Sequence, residues 1–210
     1  MIEQGTPEWF AVKAGKASAS NASKITAGGK GITRSKYLYK LALERITGHY
    51  IHGYKGADMD RGNEMEAQVR QAYEERMFTP VKESPFIDHP HIPNAGASPD
   101  GLVGKDGLIE IKTREYHIQL EFVRTKKIGD AALKQMYFQL ACCPERKWCD
   151  YVSYMAGDEE MLKNMPEYLL MQIVRVERDD VKIKQLEAAF RQADAEVEAL
   201  VDELRRINDV

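Results

Sequence analysis

Asp100, in Ser98-Pro99-Asp100-Gly101-Leu102, and the pair Glu110 and Lys112, in Leu108-Ile109-Glu110-Ile111-Lys112, are charged residues set among apolar and turn-forming neighbours. Side chains two apart on a strand share a face, so Glu110 and Lys112 project together while Ile109 and Ile111 enter the core. Gly104-Lys105-Asp106-Gly107 lies between the two stretches and reads as the tight turn of a β-hairpin. That hairpin folds Asp100 back beside the Glu110 face, and two carboxylates and one ammonium converge at a strand bend. Hard oxygen ligands of this kind suit Mg²⁺, which keeps several waters and takes one or two carboxylates together with substrate phosphate. A bound divalent ion lowers the pKa of a water and neutralises phosphoryl charge, while a nearby Lys can position the nucleophile. These are the parts of phosphodiester hydrolysis.

An acidic residue two before a Lys is a short pattern, and Glu145-Arg146-Lys147 and Asp180-Val181-Lys182 match it too. The first follows Pro144, and the second begins a helix, where its ends lie on different faces. Only Glu110 to Lys112 combines an apolar strand with a Pro-Asp at the start of the neighbouring strand. The plain alternative is a surface salt bridge across a hairpin.

The elements that position these residues follow from punctuation and period. Thr6-Pro7 caps and opens a short helix through Trp9 and Val12. A second helix starts near Ser18 or Ser20, and Gly28 to Gly31 forms a loop. Ser35 is expected to cap a helix carrying Leu38, Leu41, Ala42 and Ile46 on one face, stopped by Gly48. A further helix covers about 58–78. Residues 81–87, with Pro85, suggest one edge strand. Beyond the hairpin come helices at about 115–125 and 130–142, strands at 148–154 and 169–176, and a long C-terminal helix at about 179–207. The fold class is α/β (α+β): a small central mixed β-sheet flanked by helices, in a single domain over 1–210. Its parts are a helical portion at about 1–78, a sheet core at about 80–176 and the C-terminal helix.

Composition sets outer limits. The 210 residues are 43% hydrophobic and 30% charged, with a formal net charge of −3, which argues against a uniformly cationic nucleic-acid coat. Residues 1–52 hold eight Lys/Arg and three Glu, and residues 177–210 hold six Lys/Arg and ten Asp/Glu. Both read first as solvated helix faces. No apolar stretch approaches a membrane span, and the start has no secretory signal pattern. Three cysteines cannot all pair, so a reducing cytoplasm is the expected location. Cys142, Cys143 and Cys149 read as buried small hydrophobes, His89 and His91 as surface residues, and Trp9 as a core anchor.

Four blocks in order decide between the readings: Glu3-Gln4-Gly5…Trp9 with Ser18-Ala19-Ser20; Gly62-Asn63-Glu64-Met65-Glu66; the Ser98–Leu102 and Glu110–Lys112 pair; and Gln135-Met136-Tyr137-Phe138-Gln139. In these blocks the chain resembles the phage lambda-type alkaline exonucleases, viral recombinases of the PD-(D/E)xK nuclease superfamily, from about residue 3 to 140. The resemblance implies a restriction-endonuclease-like core. It makes Asp100 and Glu110 metal ligands, with the Ile111 carbonyl as a third and Glu66 completing a two-ion Mg²⁺ site in which Mn²⁺ can substitute. Lys112 would orient the attacking water, and Gln135 would be the active-site glutamine, although alone it reads as a solvated amide. A 5′-phosphate pocket would comprise Lys13, Ser20 and Lys30. The family pattern has Arg at both basic positions, and Lys keeps the charge while losing the bidentate fork.

The resemblance further implies 5′-to-3′ digestion of one strand of linear double-stranded DNA, a toroidal homotrimer and a single-strand-annealing partner, in a bacterial cell and of phage or prophage origin. Three alternatives stay in view: a catalytically silent DNA-end-binding module, a sequence-specific endonuclease of the same superfamily, and an iron–sulfur nuclease. The last needs four cluster cysteines, and this chain has three.

Overall fold

In a computed structural model, the chain folds as a mixed sheet with helices on both faces. The structure describes residues 4–27, 31–52 and 57–208, as backbone alone at 57–64 and 208. Helix α1 (Pro7–Lys13) starts where the sequence expects it: the Trp9 N–H donates to the Thr6 hydroxyl at 3.3 Å, and Pro7 needs no donor there. A short strand β1 (Ala17–Ser18), a 3₁₀ turn (Ala19–Asn21) and α2 (Ala22–Ile25) stand in place of the second helix.

Helix α3 (Ile32–Thr47) begins three residues before the expected Ser35 cap. Gly31 occupies the cap position in extended conformation, and its carbonyl accepts the Ser35 N–H at 3.1 Å. Leu38, Leu41 and Ala42 are buried as expected, whereas Ile46 is exposed. Helix α4 (Ala57–Met77) follows and ends with Phe78 at φ +50°.

The expected edge strand over 81–87 is instead two strands in two sheets. Strand β2 (Val81–Lys82) lies at the edge of the main sheet, and β3 (Ile87–Asp88) joins β1 and β4 (Ala95–Ala97) in a small sheet of order β1-β4-β3. Pro85 between them has no N–H for a ladder and separates the two pairings. Strand β4, Ala-Gly-Ala, has none of the β-branched residues that mark a strand. Its role is close approach, because a Cβ on Gly96 would stand 2.5 Å from the Phe86 ring.

The hairpin forms as read, with β5 (Gly101–Val103) antiparallel to β6 (Gly107–Arg114). Helices α5 (Tyr116–Thr125) and α6 (Asp130–Cys142) then cross to β7 (Trp148–Met155), which runs parallel to β6. Two short helices, α7 (Glu159–Lys163) and α8 (Glu167–Leu170), precede β8 (Met171–Glu177), so the expected strand from 169 begins two residues later. Helix α9 (Asp180–Asn208) closes the chain, and the main sheet has the order β2-β5-β6-β7-β8.

Strand alternation splits the core in two. Ile109, Ile111, Val103 and Val152 pack with Val69 and Tyr73 of α4. Leu108, Cys149 and Tyr151 face the other way, in the larger cluster with Phe138 of α6 and Phe190 of α9. The basic N-terminal part and the acidic C-terminal helix meet directly: Arg34 pairs with Glu196 at 2.7 Å, and Arg45 with Asp194 and Glu198 at 2.6 Å each. Part of the charge asymmetry along the chain is therefore neutralised inside one molecule. His89, expected at the surface, is buried instead, stacked on Phe138 with Nε2 3.3 Å from a Glu187 oxygen.

Candidate active site

Register places the two hairpin carboxylates side by side. Gly101 pairs with Ile109, so Asp100 falls opposite Glu110 where the ladder ends. The Asp100 N–H donates to the Ile109 carbonyl at 3.2 Å, and the Ile111 N–H donates to Asp100 Oδ2 at 2.6 Å. This clasp fixes the carboxylate beside the backbone of the strand that carries Glu110 and Lys112. Gln4 braces the same corner from the chain start, donating to the Pro99 carbonyl at 3.4 Å and to the Ser84 carbonyl at 3.2 Å.

Glu110 is fully buried, an uncommon place for a carboxylate unless it is paired. Lys112 Nζ lies 2.5 Å from its Oε1, and the Gln139 amide donates to Oε2 at 2.6 Å. Gln139 is oriented in turn by Cys149 Sγ, 3.8 Å from its carbonyl oxygen. The helix glutamine that touches the site is therefore Gln139. Gln135, assigned that role by resemblance, lies half-buried one turn earlier on the same helix. The sequence carried part of the signal: Gln139 is polar within Met136–Cys142, a run buried on every side, and such an amide requires an internal partner.

Glu66 of α4 is half-buried and accepts from Arg70 at 3.2 Å, while Arg70 also pairs with Glu83 at 2.6 Å. Burial pushes the Asp100 carboxyl well above the usual carboxylate range, and the neighbouring Glu110 and Glu66 add to that effect. Burial raises Glu66 as well, with Arg70 opposing and Glu110 contributing. Burial disfavours the Lys112 ammonium, yet Glu110 and Asp100 outweigh it and hold Lys112 above the ordinary lysine value. The two competing pairs have other partners, since Lys147 meets Asp106 at 3.1 Å and Lys182 meets Asp179 at 3.5 Å. Two surface concavities, one beside Tyr137 and Asp179 and one beside Gly104 and Trp148, are lined by none of Asp100, Glu110 and Lys112.

The three expected phosphate contacts fare differently. Lys13 is half-buried, its Nζ 3.7 Å from the Trp9 ring centre and 5.9 Å from those of Tyr50 and Phe86. Burial lowers its pKa to about 8, helped by Lys40 and opposed by Glu44. Lys40, unnoticed in the sequence, sits 4.3 Å from the same Tyr50 ring. Buried Glu44 accepts the Gly15 and Ile51 N–H groups at 2.9 and 2.8 Å and so ties the turn after Lys13 to α3. Ser20 is exposed and shares a 3.0 Å hydrogen bond with Ser18. Among the described residues no hydrogen bond joins Lys13 to Ser20, and Lys30 lies outside the described residues. The three cysteines are buried and free, as expected.

The Gln139 contact gives a stability prediction. Gln139→Ala leaves Glu110 Oε2 without its donor inside the core, at a cost of about 1–3 kcal/mol. Thermal unfolding should show a fall of roughly 5 °C for this chain length, while Gln135→Ala melts like the wild type. Equal melting of Gln139→Ala and wild type would mean that the amide does not hold Glu110.

Comparisons with known proteins agree with the fold. Residues 8–146 match the model of the YqaJ-like viral recombinase domain. The solved alkaline exonuclease LHK-Exo from Laribacter hongkongensis is 37% identical, with a TM-score of 0.85 over 97% of this chain and 98% of that one. Its complex with dAMP gives 38% identity and a TM-score of 0.87 over the same shares. A phage-related exonuclease from Haemophilus somnus 129PT, 15% identical with a TM-score of 0.69 over 90% of this chain and 96% of that one, shares the fold. No curated protein matches the sequence. Among the described residues, no helix is long and apolar enough to cross a membrane.

Proposed function

Because the chain belongs to the YqaJ-like viral recombinase domain family, we propose that it is a Mg²⁺-dependent deoxyribonuclease of double-stranded DNA ends. It digests one strand 5′ to 3′ and leaves a 3′ overhang for recombination by strand annealing. The observation that carries this reading is the gathering of Asp100, Glu110 and Lys112 at one strand bend, with Glu110 buried and held by Gln139. A catalytically silent end-binding module has no use for two carboxylates facing phosphate.

The donor set fits a hard divalent ion. Asp100 Oδ1, Glu110 Oε1 and the Ile111 carbonyl are oxygens. Among the described residues no three His, Cys, Asp or Glu side chains are grouped so as to hold an ion. Waters and substrate oxygens would complete the shell, as Mg²⁺ prefers, and Glu66, tied to Arg70, would act through water. When bound, two such ions supply a water of lowered pKa and neutralise charge on the phosphoryl oxygens. Asp100 and Glu110 hold the ions, and the Ile111–Asp100 clasp keeps the carboxylate from turning away. Lys112 stays protonated and stabilises the charge that develops on the attacked phosphate.

End recognition is assigned to Lys13, Ser20 and Lys30, with Lys40 adding charge beside Lys13. A terminal phosphate carries more negative charge than an internal diester, and it relieves the repulsion between Lys13 and Lys40. Each charge-assisted contact contributes about 1.5–3 kcal/mol. Duplexes labelled at either end should therefore lose the 5′ label first, with 5′-phosphate ends digested faster than 5′-hydroxyl ends. Lys13→Ala should slow digestion at limiting substrate about tenfold, less so at high salt. Equal rates on both ends, or release of the 3′ label first, would refute this polarity and its pocket.

A ring-shaped homotrimer, an annealing partner and a cytoplasmic site of action complete the reading, supported by family resemblance. Arg34 and Arg45 are engaged by α9, so the chain's charge asymmetry lends the ring little support. A solution mass of three chains by light scattering is the corresponding check.

A further inference from the structure

The Glu110 face of β6 does not end at Lys112. Arg114 is the next residue on it, roughly 7 Å further along the strand by the rise of two residues. Its guanidinium lies 5.6 Å from the ring centres of both Phe122 and Tyr151, and one Nη donates to the Tyr151 hydroxyl. Tyr151 is itself the cross-strand neighbour of Glu110. The Arg114 head group is thus tied to the same patch as the carboxylates.

What it lacks is a counter-charge. Among the described residues, Arg34, Arg45, Arg70, Arg146, Arg175 and Arg178 each meet a carboxylate. Arg114 is half-buried and meets none, and its buried Nε has no hydrogen-bond partner. A desolvated, unpaired guanidinium is costly unless a ligand completes it. Helix α5 begins two residues later, with no acidic residue in its first turn and no side-chain cap on its N–H groups. Those groups add positive potential at the same point. The one nearby carboxylate, on exposed Glu115, sits 3.5 Å from His117.

We propose that Arg114, backed by the N-terminus of α5, binds the backbone phosphate next to the one being cleaved. The inference rests on the nuclease reading and adds a subsite to it. Arg suits the task because its planar fork can hold two phosphate oxygens while its face stays against Phe122 and Tyr151. Arg114 is then a positioning residue, which holds the strand so that the scissile phosphate stays over Asp100 and Glu110.

The test measures binding of a linear duplex end in Ca²⁺ across a salt series. Two further duplexes each carry a neutral methylphosphonate at one linkage flanking the scissile phosphate. Wild type should bind one of these about tenfold more weakly than the unmodified duplex. Arg114→Met should bind the unmodified duplex about tenfold more weakly, with a salt slope lower by about one, and should lose nothing more on the modified duplex. A purely structural Arg114 would lower the melting temperature and leave the salt slope alone, which overturns the proposal. If Arg114→Met fails to fold, the comparison of duplexes on unaltered protein decides, and equal binding to all three overturns the proposal. A wild type that neither digests duplex in Mg²⁺ nor binds its ends overturns the nuclease reading as well. A wild type that does both, with Arg114→Met unchanged, overturns this subsite alone.

Discussion

Lys112→Ala should abolish strand cleavage, lowering the single-turnover rate about 10³-fold, while duplex ends remain bound. One preorganised donor at a developing oxyanion contributes about 10²–10³ in rate, and Lys112 has the added task of orienting the water. Glu110 and Asp100 hold the Lys112 ammonium above its ordinary pKa, so it remains a cation throughout the working pH range and serves as a charge and a donor rather than a base. A group that acts on the transition state affects turnover far more than ground-state binding. Removing it also takes the cation from buried Glu110, so Lys112→Gln, which keeps a donor, controls for folding. Lys147→Ala and Lys182→Ala should cut normally, because their partners are Asp106 and Asp179. A normal rate for Lys112→Ala, or a dead Lys147→Ala, would place the chemistry on another strand.

The hairpin and its charged face were legible because strand alternation is a local property. Once Gly104 to Gly107 turns, Glu110 and Lys112 must share a side, and the register brings Asp100 to them. Longer-range facts were hidden. Period and composition cannot show that Pro85 divides 81–87 between two sheets, because that depends on which strand each half finds. Ser35 looked like a helix start through its hydroxyl, and Gly31 took the position because extended backbone alone sufficed there. His89 and Glu187 are far apart in the sequence and meet only when α9 packs over α6. The glutamine went to Gln135 by block resemblance, while contact with Glu110 belongs to Gln139, whose burial is set by α6 lying between the sheet and α9. Lys40 escaped notice because its neighbour Lys13 comes from another helix and the two converge on the Tyr50 ring.

Metal dependence carries the second large effect. The oxygen donors of Asp100, Glu110 and Ile111 form part of a small, hydrated shell, which favours the regular geometry of Mg²⁺ over the larger and looser shell of Ca²⁺. Ca²⁺ should therefore occupy the site and bind DNA without aligning the water. Digestion of a linear duplex, followed with Mg²⁺, Mn²⁺, Ca²⁺ or EDTA as the single variable, tests the claim that this carboxylate–lysine cluster is a metal-dependent nuclease centre. The expected result is full digestion in Mg²⁺ and Mn²⁺, activity lower by about 10² or more in Ca²⁺, and none in EDTA. Undiminished digestion in EDTA, or in Ca²⁺ alone, would contradict it.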